Sequence, residues 1–396
     1  LFEWIVLLYQ LTTSVYVFLA VKPYCSSLVL LKNTSMKTLF VSFATCCLLM
    51  VAACQKNMPS VSPDSSAQMY FPPASSNAWE TASPASLGWN ETELTNLYTF
   101  LQQKNTKAFI VLKNGKIVIE RYFGRFTADS TWYWASAGKT LTAMLVGIAQ
   151  KQGLLRISDR TSQYLGSGWT SLPADKENLI TIRHQLTMTT GLNDAVPDDD
   201  CTLRACLQYS ADAGTRWAYH NAPYTLLEKV VETAARTDYN TYFRRVIGSR
   251  IGMSGSWIKV GFNNVYFSNA RSMARFGLLL LNRGKWNGTP ILDDDAYFND
   301  IINSSQQLNP SYGYLTWLNG KSAHMLPAVR FIFNGALIPN APADMYAALG
   351  KNDQKIYVVP SQQLVVIRMG ESAGNVQLAA SSFDNQLWGQ LNKVIR

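Results

Sequence analysis

Histidine is scarce in this chain: His184, His220 and His324 are the only three in 396 residues. None has a partner at metal-ligand spacing, so neither a metal nor any other cofactor is expected. His184 falls on an amphipathic helical pattern and reads as a core residue or one behind a site. His220 reads as the neighbour of a site edge, and His324 as a loop residue. All three precede Ser372, which excludes one mechanism. The segment 369–375, MGESAGN, contains a G-x-S-x-G, but a nucleophile elbow draws its acid and then its histidine from positions after the serine. Ser372 is therefore read as part of a turn after a strand. Blocks of like charge are also missing. The net charge is +9, yet no run of five or more Lys or Arg occurs, so nucleic-acid binding is not expected. No internal repeat is visible.

Acids are almost absent from the first 53 residues, which are instead loaded with Leu, Val, Phe and Cys. From Met36 the order is Lys37, an apolar stretch from Leu39, then Ala52 and Ala53 before Cys54, the architecture of a secretory leader. The cysteine directly after Val-Ala-Ala resembles the lipobox of bacterial lipoproteins. That resemblance implies a leader over 36–53, lipid on Cys54, and a protein tethered to a membrane of the bacterial cell envelope. Residues 1–35 are expected to be an upstream extension of the natural chain. Their run Trp4–Val21 is a candidate membrane helix interrupted by Thr12, Thr13 and Ser14. Residues 54–78, rich in Ser and Pro, read as a flexible tether. Cys25, Cys46 and Cys47 would then leave with the leader, and Cys54 would carry lipid. Cys201 and Cys206 remain: a disulfide if Cys-Thr-Leu-Arg-Ala-Cys turns, two free thiols if it is a regular helix.

A single globular domain is expected over 79–396. Asn90 caps a periodic run (Leu94, Leu97, Tyr98, Leu101), and Asn114-Gly115 joins two β-rich runs as a hairpin. Helical periodicity dominates 136–310. Strand patterns return at YGYLTWLN (312–319), KIYVVP (355–360) and QLVVIRMG (363–370), before a closing amphipathic helix. The expected class is α+β: one antiparallel sheet built from 79–135 and 311–396, flanked by helices, with a mainly helical insertion.

Without an available histidine, a serine can be activated by a lysine held beside it. Ser-x-x-Lys occurs at Ser136–Lys139 and at Ser256–Lys259. The second reads as a strand, which aims the two side chains to opposite faces. The first opens a helix, which brings them to one face. A helix amino end disfavours an ammonium and lowers the pKa of Lys139, and its N–H groups suit an oxyanion. The plain alternative is that Ser136 only caps the helix. Downstream, Tyr219 and Asn221 precede another helix that has Pro223 in its first turn. Tyr219 is placed to act as base or relay, and Asn221 to contact a substrate carbonyl and the lysine.

Ser136-x-x-Lys139, then Tyr219-x-Asn221, then Lys351-Asn352-Asp353, in that order, resembles the three motifs of the β-lactamase-related serine hydrolases. That superfamily includes class C β-lactamases, D-alanyl-D-alanine carboxypeptidases, esterases and nylon-oligomer hydrolases. The resemblance covers roughly 79–395. It implies acyl transfer through Ser136, with Lys139 and Tyr219 as base, and a small ester or amide substrate. Asn221, Lys351, Asn352, Asp353 and the backbone N–H of Gln354 would surround the substrate and oxyanion. One departure stands out: Asp353 occupies the family's glycine position, where it would pair with Lys351, crowd the acyl group or repel anions. Two other functions stay open, a D-alanine-type peptidase or penicillin-binding enzyme and, because of Asp353, a silent membrane-tethered binding protein. Trp217, Tyr312, Tyr314 and Trp317 are read either as an aromatic acyl pocket or as core.

Overall fold

The computed structural model describes residues 68–375 and 378–395, together with the backbone of two short antiparallel strands, Leu7–Leu11 and Ser14–Phe18. The candidate membrane run is thus strand where described. The expected leader, Cys54 and most of the tether lie outside the described residues. Among those residues no helix is long and apolar enough to cross a membrane.

The compact unit begins at Gln68, not at Trp79 as expected. Residues 70–76 are held down: Tyr70 N–H donates to the Asn114 carbonyl at 3.0 Å, and the Arg275 guanidinium donates to the carbonyls of Pro73 and Ser76 at 3.0 and 2.9 Å. A Ser/Pro composition signals a tether only when no buried partner claims its backbone, and here Arg275 does.

The central sheet has six antiparallel strands. These are β1 (Thr106–Lys113), β2 (Lys116–Tyr122), β6 (Trp317–Leu318), β7 (Tyr346–Gly350), β8 (Gln354–Val359) and β9 (Leu364–Gly370), in the order β6-β7-β8-β9-β1-β2. The hairpin at Asn114-Gly115 forms as read, both residues having positive φ. A second, three-stranded sheet has two of its strands within the stretch expected to be mainly helical. It pairs β3 (Trp132–Tyr133) and β4 (Ser256–Val260) with the middle strand β5 (Asn263–Ser268).

Of the helices, α1 (Leu94–Gln103) and α8 (Ser382–Val394) cover one face of the large sheet, and α6 (Ala270–Leu281) covers the other. With both faces covered, β8 and β9 are buried along their whole lengths and read as near-continuous apolar runs. Between the sheet and the remaining helices runs α2 (Gly138–Lys151), packed on α5 (Leu227–Ala235) and α7 (Asp295–Ile302). The sequence predicts one apolar face on α2, yet its residues are buried on every side from Gly138 to Ala149. A helix enclosed all round is a rigid support for what its first turn carries.

Contact between α6 and the sheet depends on Gly277. A Cβ there would stand 2.5 Å from Val365 Cγ1 and 3.2 Å from Ile356 Cγ2. Gly277→Val should lower unfolding stability by about 1–3 kcal/mol through overpacking, read as a lower urea midpoint with an unchanged m-value.

Candidate active site

Ser136 lies in a single 3-10 turn, Ala135–Ala137, which leads directly into α2; Lys139 is the second residue of that helix. In so tight a turn, side chains three apart nearly eclipse, and the Lys139 Nζ donates to Ser136 Oγ at 3.0 Å. Its other bond goes to Asn221 Oδ1, at 2.8 Å. Asn221 opens the short helix α4 (Asn221–Thr225), one turn from Tyr224. Lys139 Nζ stands 4.1 Å from the Tyr224 ring centre and 5.1 Å from that of Tyr219.

The amine is 3% exposed, and among the described residues it has no carboxylate within ion-pairing distance. Burial therefore pulls its pKa down from 10.5 to about 7, against the opposing pull of Asp200 and Asp199. Desolvation, more than the helix end invoked from sequence, is the cause. Tyr219 moves the other way. Burial pushes its phenol well above the ordinary value, with nearby Ser136 a smaller opposing influence. Among the described residues the Tyr219 hydroxyl has no hydrogen-bond partner, so it is close to Ser136 without a bonded geometry. Its ring packs among Trp317, Tyr312 and Trp217 at 5.7, 6.2 and 6.4 Å between centres. These three are buried and form the wall behind Tyr219. Tyr314 is not with them. Its hydroxyl donates to Asp300 Oδ2 at 3.0 Å and its ring packs on Tyr297.

The third motif meets the nucleophile turn from the sheet side. Gly350, at the end of β7, leaves no room for a Cβ, which would fall 2.4 Å from the Trp134 carbonyl oxygen and 2.9 Å from the Ala137 nitrogen. Lys351 is exposed, and Asn352 Nδ2 donates to the Tyr133 hydroxyl at 2.8 Å.

Asp353 corrects the sequence reading. It neither pairs with Lys351 nor enters the site. Its carboxylate is 1% exposed and accepts from Ser381 Oγ at 2.7 Å and Ala373 N–H at 2.9 Å, with Lys355 Nζ 3.2 Å away. The Gln354 side chain is also turned inward, donating to the carbonyls of Gly370 and Asn352 and accepting from Gly370 N–H. The role expected of Gln354 therefore belongs to its backbone and not to its side chain.

Other sequence readings find these places. Ser256 and Lys259 lie on β4, whose alternation separates them, and Lys259 is exposed. Ser372 is in the turn after β9, its hydroxyl donating to the Gly374 carbonyl. Cys201 and Cys206 are joined, with Cα atoms 5.9 Å apart around the turn Arg204–Cys206. His184 makes a reciprocal cap with Thr181 on α3 (Ile182–Leu186). His220 is buried beside α4 with both ring nitrogens unpartnered among the described residues, and burial lowers its pKa to about 4. His324 Nδ1 donates to the Gly335 carbonyl at 3.0 Å in a loop hairpin. The carboxylates of Asp198, Asp199 and Asp200 converge within 4.8 Å. No histidine or cysteine joins them, and such surface acids are ordinarily solvated, so they are not assigned as a metal centre. A cavity of about 440 Å³ lined by Phe71, Arg250 and Trp286 shares no residue with the site.

Tyr224, Asp199, Asp200 and Gly350 were not singled out from sequence. Tyr224 carried a signal, since it follows Asn221 by three residues on a helical pattern and so shares its face.

The depressed lysine pKa has a thermodynamic sign. Between pH 7 and 10.5 the unfolded chain holds a proton on Lys139 that the folded one lacks, so stability rises with pH across that window. Lys139→Met should remove this slope and be the more stable protein at pH 6, by on the order of a few kcal/mol, in denaturant titrations at pH 6 and 10.

The Beta-lactamase family model matches residues 100–381, well over half of the chain. PbpX of Bacillus subtilis (strain 168), provisionally described as a penicillin-binding protein, is 25% identical over 171 residues, 40% of this chain and 41% of that one. The chain thus spans about two fifths of that relative's length. Among solved structures, a protein from Bacteroides dorei provisionally described as a beta-lactamase superposes with a TM-score of 0.62 at 16% identity, covering 78% of this chain and 99% of that one. One from Bacillus anthracis, provisionally described as a 6-aminohexanoate-dimer hydrolase, gives 0.61 at 18% identity, covering 83% and 91%. These likenesses show a shared β-lactamase/transpeptidase-like fold. Taken with the family match, they make the chain a member of the beta-lactamase family of serine hydrolases.

Proposed function

We propose that the protein hydrolyses a small ester or amide through an acyl-enzyme on Ser136. The observation that carries this reading is an amine with a pKa of about 7, 3.0 Å from a serine hydroxyl. With its pKa pulled down to about 7, Lys139 is available in its uncharged form near neutral pH and able to take the Ser136 proton as Oγ attacks the substrate carbonyl. Asn221 holds the amine in place, and the backbone N–H groups of Ser136 and Gln354 receive the developing oxyanion. The proton on Lys139 then passes to the leaving oxygen or nitrogen. In the second half, water attacks the acyl ester, gives its proton to Lys139, and Ser136 is restored. Tyr219, whose phenol stays protonated, serves as a hydrogen-bond donor on the leaving-group side; this favours Lys139 over Tyr219 as base. The Cys201–Cys206 disulfide supports an exported protein, in keeping with a lipid tether to the cell envelope at Cys54.

A fluorophosphonate should label wild-type protein, with the adduct on the peptide containing Ser136. Ser136→Ala should lose label and drop p-nitrophenyl acetate turnover by about 10³-fold or more; full activity in that variant would refute the assignment. In wild type, kcat/KM should rise with pH through about 7 as the Lys139 ammonium loses its proton, with no fall from Tyr219 below pH 10.

A D-alanine-type peptidase or penicillin-binding activity is a second reading, favoured by the description given to PbpX. Covalent labelling by a fluorescent penicillin, lost in Ser136→Ala, would select it. The silent-binder reading loses its motive, because Asp353 does not occupy the site.

A further inference from the structure

The turn after β7 is strained. Asn352 and Asp353 are both left-handed, with φ of 58° and 59°, a conformation that costs a non-glycine residue about 1–3 kcal/mol. Asn and Asp tolerate it better than other side chains, but two in succession persist only where the surroundings hold them. The restraints come from inside the protein. Arg368, fully buried on β9, donates to the Asn352 carbonyl at 3.0 Å and the Asp353 carbonyl at 2.9 Å. Gln354 Nε2 adds a second bond to Asn352 O at 2.8 Å. The Asp353 carboxylate is itself anchored by Ser381 Oγ, Ala373 N–H and Lys355.

In a trans peptide the carbonyl and the following N–H point in opposite directions. With the carbonyls of Asn352 and Asp353 drawn towards Arg368, the N–H groups of Asp353 and Gln354 are turned away from it. The same turn is fastened to the nucleophile's side through Asn352 and Tyr133, and through the close approach at Gly350.

We infer that Asp353 is a positioning residue: its inward-facing carboxylate, together with Arg368, locks the left-handed turn that presents the Gln354 N–H to the oxyanion, doing by anchorage what glycine does by freedom. This rests on the acyl-enzyme reading above. It also makes a counter-intuitive statement about repair. Restoring the family's glycine relieves the strained φ but removes three anchors, so the turn loosens.

Asp353→Gly should keep its KM for p-nitrophenyl acetate within about threefold, while kcat falls ~10- to 100-fold. The rate of fluorophosphonate labelling of Ser136 should fall in parallel, in protein shown by thermal melting to be folded at the assay temperature. Unchanged or faster turnover in Asp353→Gly overturns the inference. Should that variant fail to fold, Ser381→Ala carries the test, since it removes one anchor without changing the turn's own residues. A several-fold loss of kcat at constant KM supports the inference, and wild-type kcat overturns it. Ser136→Ala run in parallel separates the two claims. Persistent labelling there sinks the hydrolase reading, whereas full labelling of Asp353→Gly with none of Ser136→Ala sinks only the role of Asp353.

Discussion

The site depends on the removal of one amine from water. Lys139 sits on a helix enclosed on every side, its only hydrogen-bond partners among the described residues are the neutral oxygens of Ser136 and Asn221, and two phenol rings lie against it. Each partner accepts from either protonation state, so none offsets the cost of burying charge. A carboxylate at contact distance would have restored the ammonium and made the pair inert as a base. Asp199 and Asp200 act from farther off and only temper the effect.

A different electrostatic arrangement holds the sheet's other side. There Lys355 and Arg368, both fully buried, meet Asp353, Asp384 and Tyr357 beneath α8, and nearly every polar group is satisfied. Asp384 bonds Lys355 and Tyr357 while also closing the reciprocal cap at Ser381, so the start of the last helix and the ends of two strands share one network. Pairing of this kind contributes little net stability, but loss of one member is costly because its partner stays buried. Among the described residues, Lys139 is thus buried with no carboxylate at contact distance, whereas Lys355 is ion-paired with both Asp353 and Asp384.

Sequence alone made much of this legible. Periodicity and the three ordered motifs brought out the meeting of Ser136 with Lys139, and the sheet, because helical spacing in a first turn leaves little choice about which side chains meet. Ser256–Lys259 was rejected on the same ground. What stayed hidden was the direction of side chains on buried strands. Asp353 was placed in the site because a motif position was taken to share the orientation of its neighbours, whereas two left-handed residues reverse that assumption. A lone arginine within VVIRMG was the available sign that something on that strand required a cation. The start of the compact unit was missed because a proline-rich stretch gives no periodic signal, although buried Arg275 binds its carbonyls.

Lys351 and Gly350 are adjacent yet live under opposite rules. The glycine cannot acquire a side chain without displacing the backbone that carries the nucleophile, while the lysine beside it is exposed and supports nothing. Evolutionary drift in selectivity can therefore proceed at the rim, one residue from the machinery, without any tax on folding. A lineage descending from this protein would be free to change its diet long before it could rebuild its chemistry.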